Sequence, residues 1–115
     1  MINPGTYNIK CPQGATFDKT FSVALDGTPN DFTGYSAALQ VRETFDSATP
    51  VVSLTNGSGI TLGGVLGTIR VVIASTATTA IPAGYYSYDL EITSGAGVKD
   101  RLLEGKFVVT PEITK

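Results

Sequence analysis

Asp89 and Glu91 stand two residues apart in a stretch, 85–92, where apolar and polar side chains alternate. An extended chain puts both carboxylates on one face, about 7 Å apart, a separation that loosely suits a glycosidase. Beside Ser87, the same pair also makes the wet side of a half-buried strand, and this plainer reading is the stronger one. Asp26, Asn30 and Asp31 around Gly27-Thr28-Pro29 could offer oxygens to calcium, but their spacing departs from an EF-hand loop and suits a simple turn. The glycines at 57, 59, 63, 64 and 67 lack the lysine and following helix of a phosphate cradle. The chain contains no histidine, which removes the commonest general base and transition-metal ligand and makes any Ser-His or Cys-His triad impossible. The expectation is therefore no catalytic residue, no metal, no cofactor and no small-molecule substrate: not an enzyme.

The elements that would position any such residues are strands. The 115 residues are 42% hydrophobic but only 16% charged. A chain poor in helix-solubilising charges and rich in Thr, Val, Ile, Tyr and Gly favours strands and turns. That length suits one domain over 1–115. A formal charge of -2 without runs of like charge argues against nucleic acid or anionic lipid as partners. No apolar run approaches the ~20 residues of a membrane span, and the first residues lack the pattern of a secretory leader. Cys11 is the only cysteine, so no internal disulfide can form, and a small buried hydrophobe is its expected role.

Residues 80–92 organise the rest. Tyr86, Tyr88, Leu90 and Ile92 fall on one side of an extended chain, with Tyr85, Ser87, Asp89 and Glu91 on the other. Pro82 and Gly84 set a bend before it, and Tyr86 can bury its ring while its hydroxyl bonds back to that bend, as in the tyrosine corner of β-sandwiches. Upstream, Tyr7, Ile9 and Cys11 alternate toward an edge strand that ends at Pro12. Phe17, Phe21, Val23 and Leu25 form a second apolar row, broken by Lys19, which calls for a bulge or a place at the sheet rim. Tyr35, Ala37, Leu39 and Val41 form a third row. Short strands tightly joined at Asn56-Gly57 follow, then Ile69, Val71 and Ile73, and 75–80 crosses over, with room for one helical turn. After a turn at 94–97, Leu103, Gly105, Phe107 and Val109 face inward. Gly105 suggests a close backbone approach beneath a tyrosine ring, or a bulge. With about seven to nine short strands at regular spacing, the sequence predicts an all-β fold, an antiparallel β-sandwich of Ig-like outline with Greek-key connections.

Several stretches in order carry a resemblance to a family. They are Gly14-Ala15-Thr16-Phe17, Asp31-Phe32-Thr33-Gly34-Tyr35 with the strand ending Val41-Arg42, and Gly59-Ile60-Thr61-Leu62 followed by Gly67-Thr68-Ile69. Gly84-Tyr85-Tyr86-Ser87-Tyr88-Asp89-Leu90 and the closing Gly105-Lys106-Phe107-Val108-Val109-Thr110-Pro111-Glu112-Ile113-Thr114 complete the set. Together they resemble the small β-sandwich proteins of tailed phages and prophages, including collar proteins that attach side tail fibres and related baseplate domains. The resemblance implies a virion structural protein assembled in the bacterial cytoplasm, present in multiple copies, whose partners are itself and other virion proteins. Small outward side chains with apolar Leu102 and Val108 suit a face that another subunit covers. Arg42, Arg70 and Arg101 are the expected polar anchors, and Tyr85 the outward aromatic. The alternative is a carbohydrate-binding or adhesin-like module, for which a lone outward tyrosine is a poor saccharide platform.

Overall fold

The computed structural model describes residues 5–25, 27–44 and 46–113. Among these the strands are β1 (Gly5–Thr6), β2 (Ile9–Pro12), β3 (Phe17–Ser22), β4 (Ala24–Leu25), β5 (Thr28–Pro29) and β6 (Ser36–Arg42). They continue with β7 (Val52–Asn56), β8 (Gly59–Leu62), β9 (Thr68–Ile73), β10 (Gly84–Thr93) and β11 (Lys99–Thr110). One short helix, α1 (Ser75–Thr79), lies in the crossover before β10, and a 3-10 turn (Gly64–Leu66) precedes β9. The chain is thus mostly β. Nine strands form one sheet in the order β1-β11-β10-β6-β7-β8-β9-β3, with β2 also on β11, while β4 and β5 make a separate ribbon.

The sheet is mixed rather than antiparallel throughout. β1 and β2 run parallel to β11, and β7 meets β8 in parallel over two residue pairs only, Thr55↔Gly59 and Asn56↔Ile60. That brief contact lies across the expected Asn56-Gly57 turn, where Gly57 takes a φ of +85°. Beyond it the sheet curls until the two ends of the strand order face one another. Phe17 of β3 meets Phe107 of β11 edge-on at 6.4 Å, and Tyr7, between β1 and β2, meets Phe21 at 5.3 Å.

Alternation decides what fills the enclosed space. Tyr86, Tyr88, Leu90 and Ile92 are buried on β10, as are Ala37, Leu39 and Val41 on β6 and Ile69, Val71 and Ile73 on β9. Each aliphatic or phenylalanine side chain taken fully out of water contributes about 1.5–3 kcal/mol. Cys11 joins this core, fully buried, and desolvation pushes its thiol pKa up. The Tyr86 hydroxyl donates to the Pro82 carbonyl at 2.6 Å, which makes the corner expected from Gly84.

Lys19 needs no bulge. β3 pairs with β9 in unbroken register, and the Lys19 ammonium sits 5.5 Å from the centre of the Tyr7 ring, so its stem covers aromatic surface while its charge reaches the rim. The row beginning at Phe17 holds through Val23: Phe17, Phe21 and Val23 all pack against the core, and the Val23 amide bonds the Gly67 carbonyl at 2.8 Å, one step beyond the last β3–β9 pair in the same register. The Leu25 side chain and Asp26, expected in that row and the following turn, lie outside the described residues, as do Met1–Pro4 and Thr114-Lys115.

Candidate functional site

The outer face of β6, β10 and β11 forms an open groove of about 690 Å³. Its side chains are ranked by register. Ser87 lies between Arg42 of β6 and Lys106 of β11, Asp89 between Gln40 and Glu104, and Glu91 between Ala38 and Arg101. One step before Ser87 on the same face, Tyr85 pairs with Val108, and Val108 pairs in turn with Lys10 of β2. The face therefore runs from an aromatic row through a cationic row to an acidic one.

Hydrogen bonds fix parts of this pattern. The Arg42 guanidinium donates to the Gln40 side-chain oxygen and to the Ser47 carbonyl, both at 2.7 Å, which holds its charge above the sheet. Arg101 reaches the Asp89 carboxylate at 3.3 Å and Glu104 at 4.0 Å. Among the described residues no carboxylate lies within ion-pair distance of Arg42 or Lys106. The groove's remaining wall comes from Thr6 and Asn8. Asn8 stands where β1 and β2 are interrupted, and its side-chain oxygen accepts the Lys106 backbone N–H at 3.1 Å.

Beneath the face, Gly105 permits the close approach expected of it. A Cβ there would come within 2.5 Å of the Tyr7 carbonyl oxygen, and that oxygen accepts the Tyr88 hydroxyl. Gly105 is paired directly with Tyr88, so the missing side chain is what lets the edge segment drop onto the tyrosine. Burial, with the neighbouring Tyr7 as a lesser cause, pushes the Tyr88 pKa up to about 12.

The structure scatters the expected interface residues. Arg42, Tyr85, Arg101 and Val108 share the outer face just described. Arg70 lies on β9, where it forks onto Asp18 of β3 at 3.0 and 2.6 Å; that bond lowers the Asp18 pKa and raises that of Arg70. Leu102 is a correction: expected outward, it is only 5% exposed. Between Leu90↔Leu103 and Glu91↔Arg101 the register shifts by one residue, and the extra residue of this bulge, Leu102, turns into the core. Val108 is half-buried and Tyr85 is 79% exposed.

Gln40, Glu104 and Lys106 were not singled out as site residues. Their outward alternation was visible in the sequence, but which of them stand beside Ser87 and Asp89 depends on strand register, for which no local signal exists. Of the loop oxygens considered for calcium, Asp31 is engaged by the Thr33 amide and hydroxyl at 2.9 and 2.6 Å, which lowers its pKa. Among the described residues no three carboxylate, cysteine or histidine side chains converge on one point, and no helix is long and apolar enough to cross a membrane. Comparison of the sequence with models of known protein families and with curated proteins finds no match.

Proposed function

We propose that this chain is a structural protein of a phage or prophage particle, a tail, collar or baseplate adaptor that self-associates and docks neighbouring components, built on an Ig-like sandwich. The observation that supports it best is where the exposed apolar side chains lie. Val65 and Leu66 are 68% and 69% exposed, and Val98 is 59% exposed. Their segments share one end of the molecule: the Phe32 amide bonds the Gly64 carbonyl at 2.9 Å, and a Cβ on Gly95 would approach the Gly34 carbonyl oxygen to 3.5 Å.

Tyr85 at 79% and Ile113 at 94% lie at the other end, where Gln13 ties the chain end to the corner by accepting from the Glu112 amide and donating to the Ile81 carbonyl. β11 runs between the two ends, and twelve extended residues span roughly 40 Å, close to the longest dimension of 43 Å. A particle component repeated around a ring or along a tail needs two unlike sticky surfaces, and apolar residues at opposite ends of a packed, elongated domain suit that arrangement. The tyrosine corner on β10 supports the Ig-like outline. The reading assigns the chain no reaction, and it places its working location in the virion.

The test has two parts. Sedimentation of the purified chain should reveal an oligomer that Val65→Asp with Leu66→Asp reduces to monomer, and mass spectrometry should find the chain in purified particles. A strict monomer that is absent from particles overturns the proposal.

A further inference from the structure

We infer that the outer face of β6, β10 and β11 binds a short anionic oligosaccharide, with a sugar carboxylate held over Ser87 by Arg42 and Lys106. This goes beyond assembly and does not depend on it. Ser87 is the small residue between two cations on adjacent strands, so a carboxylate above it meets charge from both sides and a hydroxyl donor from below. The distinction between cations is decisive. Arg70 and Arg101 are committed to carboxylates of the protein, whereas Arg42 and Lys106, among the described residues, are not.

The neighbouring rows suit the rest of a sugar chain. Asp89 and Glu104 present acceptor oxygens for hydroxyl donors, one strand step of about 7 Å from Ser87, and Arg101 offsets part of the acidic charge that they and Glu91 bring to that end of the groove. On the other side of Ser87 the exposed Tyr85 ring can cover the apolar face of a pyranose. The groove's volume of about 690 Å³ lies within the roughly 300–1,000 Å³ of ligand clefts. No aliphatic side chain is among the groove's lining residues, so recognition there rests on charge and hydrogen bonds rather than on apolar burial. The scarcity of aromatics, which argues against a neutral sugar platform, matters less when fixed charges do the recognition.

The experiment titrates the whole chain with tetragalacturonate, with neutral cellotetraose and with a hexaglutamate peptide, following backbone amide signals by NMR and affinity by calorimetry. Tetragalacturonate should bind, shifting the amides of Ser87, Asp89 and Lys106, while cellotetraose binds at least about tenfold more weakly. Lys106→Ala and Tyr85→Ala should each weaken binding about tenfold with the melting temperature unchanged. The inference is overturned by no shifts at millimolar uronate, by equal affinity for the neutral sugar, by tighter binding of the peptide, or by full affinity in both variants.

Discussion

The two faces of β10 are one residue apart in the chain and opposite in kind. On the inner face every polar atom of the tyrosines is spoken for: the Tyr86 hydroxyl by Pro82 and the Tyr88 hydroxyl by Tyr7. On the outer face Arg101 engages Asp89, but Ser87 lies between Arg42 and Lys106, whose charges have no carboxylate partner among the described residues. The inner row is therefore committed to stability, and the outer row keeps interactions available for something else. The comparison also explains why burial and function separate here. Buried hydroxyls left without partners cost free energy, whereas solvated charges without partners cost little.

The largest break of the inner face is Phe107→Ala, since Phe107 is 1% exposed and touches both Phe17 and Tyr88. It should lower unfolding free energy by about 3–5 kcal/mol in urea denaturation. Gly105→Ala comes next. Its Cβ would collide with the Tyr7 main chain, so the edge segment must move, at about 1–3 kcal/mol, with loss of amide-exchange protection around Asn8 and Lys106.

Tyr88→Phe sharpens the comparison through pH. The folded pKa of Tyr88 is raised to about 12 from an ordinary 10.0, so the unfolded chain gives up this proton first. Its contribution is fully present below about pH 10 and is lost as pH rises toward 12. Tyr88→Phe should therefore flatten the alkaline fall in stability while costing about 1–2 kcal/mol near neutrality. On the outer face Lys106→Ala should leave stability within about 0.5 kcal/mol. Smallest of all, Asp18→Asn breaks a solvent-exposed ion pair and should leave the melting temperature unchanged at physiological salt, a null result that thermal scans can check.

How much of this was legible follows the same division. Tyr86 and its corner, the inner rows of β6, β9 and β10, and the close approach at Gly105 could be read locally, because burial imposes a period of two and bends demand glycine. The helical turn before β10 was also expected, although the role of Thr78 in it was not. Its buried hydroxyl accepts the Gly14 amide and donates to the Ala15 carbonyl, joining residues more than sixty positions apart. Leu102 was misplaced because alternation carried across a bulge inverts every side chain beyond it.

By itself, the sequence determined which side chains avoid water on β6, β9 and β10, where the chain must bend, and that no histidine chemistry is available. Those properties depend on the residue and its immediate neighbours. Only the tertiary structure decided that β1 and β2 lie parallel to β11, that Leu102 turns inward, and that Arg42 and Lys106 flank one serine while Arg70 and Arg101 are occupied elsewhere. Register and strand order come from the packing of the whole curled sheet, and no single segment contains the information that sets them.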